Sequence, residues 1–405
     1  MNKWYKVALF NLVVLAFLGF VLRYKINFPL DFIEQKKLLH AHSHFAFGGW
    51  ISFLLQLLII SSFSKRSAPS SAGWNKFFLV STGVNYAMIF SFALQGYSPL
   101  SIVLSTVSLL LSYYFIYKIY GEVKDNIMDV SSRFIMTALF FLALSSLGPY
   151  ALAYMIATKN LDPYHYHNAL YFFLHFQYNG WFTFAVLGFL FKKVENIKGY
   201  KLSFGKGFFY TMVFSIVPAY FLTTLWHKMP QWVVVNNVVA AVFQLIAIGL
   251  FVLLIKKSLK NIFRGLPALS RMLYWLSITA FLLKAILQCV SAHPQVGHIA
   301  FTYRPIIVGY LHLVFLVFVS FYLLGMLAEA AIIPVNKVMA RGGLLLFTLT
   351  VLVNEVLLGV QGVGSLMGNY FPSSNTALFI NTIFITIAAT FIFLSATSKS
   401  RLQQF

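Results

Sequence analysis

The chain has 405 residues, 60% of them hydrophobic and only 10% charged, with a formal net charge of +21. Soluble domains carry roughly a quarter charged residues, so this composition excludes one and points to an integral membrane protein. The basic residues sit in short groups beside apolar runs, which excludes a nucleic-acid-binding patch and fits topology signals that meet anionic lipid headgroups.

Apolar runs of about 20 residues, the length needed to cross a bilayer, recur from end to end. In chain order they cover 4–22, 38–63, 77–96, 100–120, 134–158, 168–191, 207–226, 232–255, 272–290, 305–329, 342–363 and 377–397. The first starts basic but lacks a small-residue cleavage site, so it reads as a span rather than a signal peptide. Ser98-Pro99, Asp162-Pro163, Met229-Pro230 and His293-Pro294 punctuate the loops. No internal repeat is evident, which counts against transporter folds built from duplicated halves. The expectation is an all-α, polytopic chain of about twelve transmembrane helices, with 1–405 forming one domain.

Lys and Arg divide 22 to seven between the two sides of that arrangement, with Lys284 inside a span. The positive-inside rule then puts both termini in the cytoplasm, as expected for a bacterial inner-membrane protein. The single cysteine, Cys289, lies within a span and can form no intramolecular disulfide.

With this topology the ten histidines fall on one side, the outer one. They are His40, His42 and His44; His165, His167 and His175; His227; His293 and His298; and His312. His44, His175 and His312 each lie seven residues beyond Lys37, Asn168 and Pro305, roughly 10 Å deep at the helical rise. His40 and His44 share a helix face and His42 points elsewhere. Imidazole is the commonest metal ligand among side chains, so a one-sided layer of imidazoles fits a haem or copper site. The structural alternative is a set of interfacial rings bonded to loop carbonyls or water. It weighs most for His165, His167, His293 and His298 in the loops, and least for rings deep in apolar helices, where polar groups are expensive.

Four stretches resemble subunit I of the haem–copper oxidases, especially the nitric oxide reductase branch. His42 to Trp50 (HSHFAFGGW) is similar to that family's HGSLMIFFW, whose first histidine binds the low-spin haem; His44 is the local competitor. His175 to Trp181 (HFQYNGW) resembles the reductases' HLWVEGVWE, where the histidine binds a non-haem metal. His227-Lys228 stands where the family has two adjacent histidines, and Tyr310-Leu311-His312 where it has His-x-His. The resemblance implies twelve helices with both ends cytoplasmic and a b-type haem on His42 or His44 with His312. Tyr310 and Arg304 would lie near that haem, and a second centre of copper or non-haem iron would use His175, His227 and His40.

Several positions depart from the family pattern. Asn179 and Thr183 replace glutamates, Lys228 replaces a metal ligand, and Tyr310 replaces a haem ligand. The paired arginines that usually meet haem propionates are missing after the eleventh span, leaving Arg304 or Lys228 as substitutes. The implied function is electron transfer through a bis-histidine haem to a second metal site that reduces NO or O2. The electron donor would be a protein or a quinol, with a small companion subunit. A haem- or copper-binding protein without turnover, a metal transporter and a structural scaffold are the alternatives.

Two charges, Lys284 and Glu355, are expected at similar depth in the ninth and eleventh spans, where they would pair or carry a function. Asn236, Asn237 and Gln244 in the eighth span and Gln288 in the ninth are expected to bond across helices. No chain of acids leads in from the cytoplasmic side, so a proton pump is not expected. The abundant aromatics read mainly as helix packing and interfacial belts.

Overall fold

The computed structural model describes residues 2–64, 71–124, 128–160, 162–226, 230–369 and 371–397. Among the described residues the chain is helical and contains no strand. The α-helices are α1 (Asn2–Asn27), α2 (Gln35–Phe45), α3 (Phe53–Phe63), α4 (Ala72–Gln95), α5 (Pro99–Val123) and α6 (Val130–Ser145). Next come α7 (Leu147–Ala157), α8 (Pro163–His175), α9 (Thr183–Val194), α10 (Leu202–Ala219), α11 (Gln231–Ile262) and α12 (Ala268–Ser291). The last are α13 (Pro294–Thr302), α14 (Arg304–His312), α15 (Phe321–Glu329), α16 (Val338–Leu366) and α17 (Pro372–Ser395). Three π-helical segments, Ala46–Ser52, Phe176–Phe182 and Leu313–Ser320, join α2 to α3, α8 to α9 and α14 to α15 without a break.

Eleven helices among the described residues are long and apolar enough to cross a membrane, and each coincides with one of the twelve runs expected from sequence. The protein is therefore an all-α, polytopic membrane protein. The sixth run is the exception. It is helical from 163 to 194, yet too polar to join the eleven on composition. Every residue from 175 to 191 is buried, so this helix meets protein rather than lipid and can carry His175, Gln177 and Asn179.

Contacts group the chain into two compact units, where sequence led us to expect one domain. The first comprises 1–122, 266–276 and 320–405, and the second 123–265 and 277–319. In the first, α17 packs along both α1 and α16, and α2 packs against α4. Trp4 and Phe53 meet Phe78 there, with ring centroids 5.6 and 5.1 Å away. In the second, the pairs are α10 with α11, α6 with α9 and α7 with α8. Phe134 lies at the centre of its aromatic core, 4.9 Å from Phe191 and 5.1 Å from Phe209.

Helix ends follow local chemistry. Asp162 caps α8, its Oδ2 accepting from the His165 backbone N–H at 3.2 Å, and Pro163 takes the first turn. The His165 amide, together with its ring, holds the Asp162 carboxyl below the usual range. Each π segment widens the helix and displaces a carbonyl from the regular ladder, and each has one carbonyl met by a side chain. Asn11 Nδ2 donates to Gly49 O (2.6 Å), Thr183 Oγ1 to Tyr178 O (2.7 Å) and Ser277 Oγ to Phe318 O (2.6 Å).

Candidate functional site

All three π segments begin within two residues of a histidine named from sequence: two after His44, one after His175 and one after His312. Segments of this kind concentrate at functional sites, because the extra residue redirects the side chains that follow.

In the first unit, His40 and His44 share a face of α2, as their four-residue spacing requires. His44 stacks flat on Phe92, with centroids 4.2 Å apart and planes at 10°, and its Nε2 lies 3.3 Å from the Tyr97 hydroxyl. His40 meets the same tyrosine edge-on at 4.8 Å. His42 faces the other way, towards α1. Its Cε1 lies 3.5 Å from where a side-chain carbon at Gly19 would stand. Of the two rivals, His44 is thus engaged by aromatic neighbours, while His42 leans on a residue with no side chain.

In the second unit His175 is fully buried at the end of α8. Its Nε2 bonds to Ile216 O at 2.8 Å, which makes Nε2 the donor and leaves the lone pair on Nδ1. Nδ1 accepts from Asn179 Nδ2 at 3.1 Å. Asn179 Oδ1 accepts from Gln288 Nε2 at 3.3 Å, and Gln288 Oε1 accepts from Gln244 Nε2 at 2.8 Å. A head-to-tail chain of three amides therefore runs from α11 through α12 to the imidazole. Of the residues expected to bond across the eighth and ninth spans, Gln244 and Gln288 do; Asn236 Nδ2 bonds back to Trp232 O in its own helix, and Asn237 makes no side-chain hydrogen bond among the described residues. Gln244 and Gln288 stand out in the sequence as polar residues in apolar helices, while their junction with Asn179 and His175 does not. The spacing of His175 and Asn179 on one helix was the readable clue. Lys284, one turn before Gln288, is also buried and faces a void of about 10 Å³ beside Asn179, Ser215, Gln244 and Gln288.

His312 Nδ1 bonds to Val308 O at 2.7 Å, so its lone pair is on Nε2. Tyr310, one residue before it but one, has its hydroxyl buried without a hydrogen-bond partner, and its ring lies 6.1 Å from that of Tyr178. Arg304 is exposed at the start of α14. His227 and Lys228 lie outside the described residues. His42 and Glu355 belong to the first unit, His312 and Lys284 to the second. Glu355 Oε1 accepts from Asn354 Nδ2 at 3.3 Å.

The loop histidines divide. His165 Nδ1 approaches Asp162 Oδ2 to 2.5 Å as part of the α8 cap. His167 and His298 line a cavity of about 270 Å³ with Tyr171, Trp226, Phe301 and Thr302. His293 stands at the N-terminus of α13. Among the described residues, no three of His, Cys, Asp or Glu gather to hold a metal ion.

The structure also exposes a short repeat that the linear sequence hid. Residues 44–50 read HFAFGGW and 175–181 read HFQYNGW, one in each unit, and both lead into a π segment. The shared glycines sit where a Cβ has no room. At Gly180 it would stand 2.5 Å from Phe141 Cβ, and at Gly49 it would stand 2.6 Å from the Phe45 ring. The shared tryptophans, Trp50 and Trp181, are fully buried. The chain matches no protein-family model and no curated protein, so these local geometries are what bear on its function.

Proposed function

We propose that this protein is a membrane redox protein carrying one b-type haem, related in design to the haem–copper oxidase and nitric oxide reductase subunits it resembles. The observation that supports this most is His312, which heads a π-helical segment with its Nδ1 bonded to a backbone carbonyl. The other two histidines that precede π segments, His44 and His175, are held by their own neighbours. His42 and His312 are the proposed axial ligands, an assignment that rests on the sequence resemblance. Two features of the side chains fit it. Nδ1 of His312 donates to a backbone carbonyl, the tautomer-fixing arrangement common to ligand histidines. Tyr310 keeps a buried hydroxyl without a partner beside it.

A haem between two imidazoles supplies a one-electron couple with no open position at iron, suited to electron transfer rather than gas binding. The residues do the rest. The Val308 carbonyl orients His312, and Phe92 and Tyr97 keep His44 in place as a packing group. Arg304 is the proposed partner for a propionate. A second metal on His175 and His40 is not part of the proposal, because both nitrogens of His175 are engaged and His40 packs against Tyr97. The proposed setting is a bacterial inner membrane with the histidine layer facing outward, and an electron donor that is a protein or a quinol.

A reduced-minus-oxidised optical spectrum of protein produced in haem-sufficient cells tests this. Sharp low-spin bands are expected in the wild type and in His44→Ala, and not in His42→Ala or His312→Ala. No haem signal in the wild type, or an unchanged signal in His312→Ala, overturns the proposal.

A further inference from the structure

We propose that the void beside Lys284 binds one halide-sized monovalent anion. Lys284 lies mid-way along α12, only 2% exposed, in a helix long and apolar enough to cross a membrane. An ammonium buried at such a place needs a compensating charge if it is to keep its proton. Among the described residues, no carboxylate of its own unit forms an ion pair with it.

The rest of the lining is biased in the same direction. The Ile216 carbonyl fixes the proton of His175 on Nε2, so Nδ1 must accept, and Asn179 must turn its NH2 towards it. Asn179 Oδ1 then faces Gln288, and Gln288 Oε1 faces Gln244. Asn179 Oδ1 and Gln288 Oε1 each accept from the next amide, and each NH2 retains a second N–H. Ser215 directs its proton to Met212 O at 2.9 Å. The void is thus lined by an ammonium, three amide groups with N–H to spare, the Ser215 hydroxyl and the apolar residues Met212, Ile216 and Ala219.

Size narrows the occupant. A volume of about 10 Å³ holds roughly one water-sized particle. A monoatomic anion fits with little adjustment, whereas nitrate, sulfate or phosphate does not. Chloride is the abundant ion of this class. The inference is independent of haem, since every group in it belongs to α8 to α12 of the second unit and its test reads no haem signal.

Thermal unfolding of the purified protein in detergent, with sodium chloride or bromide exchanged for gluconate or sulfate at constant ionic strength, is the test. Ligand that binds only the folded state raises the midpoint as its concentration passes the dissociation constant. A saturable rise specific to halides is expected in the wild type, with binding weakened at least about tenfold in Lys284→Met and in Gln288→Leu. If Lys284→Met yields no folded protein, Gln288→Leu decides. The proposal fails if chloride and gluconate act alike on the wild type, as they would with only water in the void or with a counter-charge from elsewhere in the chain. It also fails if the folded variants keep the full response.

Discussion

The two HF-x-aromatic-x-GW turns share a backbone and differ in how each histidine is held. At His175 the residue four positions on is Asn179, which supplies an amide from the same helix directly to the imidazole. At His44 that residue is Gly48, and the space is taken by an amide from another helix. Asn85 Oδ1 stands 2.5 Å from where a Cβ of Gly48 would be, while Asn85 Nδ2 bonds to Ser81 O. The first arrangement locks an imidazole by hydrogen bonds at both nitrogens. The second leaves His44 to stacking on Phe92 and a single bond to the Tyr97 hydroxyl. A common π-helical frame thus serves as a socket, and one residue decides whether its histidine is bound by polar contacts or by packing.

The largest effect that tests this contrast is expected at Asn179. Asn179→Leu strands His175 Nδ1 and Gln288 Nε2 together in the core, which costs about 3 kcal/mol of stability. Gln244→Leu, at the free end of the chain, costs about 1 kcal/mol because it removes one link without stranding the imidazole. Equal losses in thermal or denaturant unfolding would show that the amides do not act as a chain. Next come the paired glycines. Gly180→Ala drives a Cβ into Phe141 Cβ, which cannot swing aside, and is expected to cost about 2 kcal/mol. Gly49→Ala meets only the movable Phe45 ring and costs about half as much; a reversed order would break the comparison. The smallest effect is at the entrance to α8. The Asp162 carboxyl is held below its usual range, so its cap is complete at neutral pH and is lost as pH falls through that lowered value. A lower protection factor in the first turn of α8 at acid pH is expected in the wild type, and Asp162→Asn should make that protection independent of this titration.

The bundle was legible because span-length apolar runs and punctuating prolines carry it, and eleven runs map onto helices in register. The shared face of His40 and His44 was equally legible from their spacing. The π segments were not. An added residue in a helical turn has no composition of its own, and it rotates the next face by an amount hydropathy cannot show. The repeat was overlooked for a related reason: seven residues carry it, in helices that otherwise differ. The sixth span shows the opposite failure. Its aromatic content reads as apolar, yet the Gln177 and Asn179 it carries make it poorly suited to lipid. The amide chain was half visible, since Gln244 and Gln288 stood out as polar residues in apolar helices, but their junction with Asn179 depends on how α8 and α12 approach one another.

The helix at 163–194, buried from 175 to 191, also bears on how the protein is made. Segments leaving the insertion machinery are tested one at a time against hydrocarbon, and this one would partition poorly by itself. Its stretch from 175 to 191 finds suitable surroundings only among other helices of the finished protein. Its main packing partner, α6, is made before it, so entering the bilayer together with α6 would enclose it. Biogenesis at this step is then concerted rather than sequential, and weakening a neighbour should be felt first as a failure of delivery.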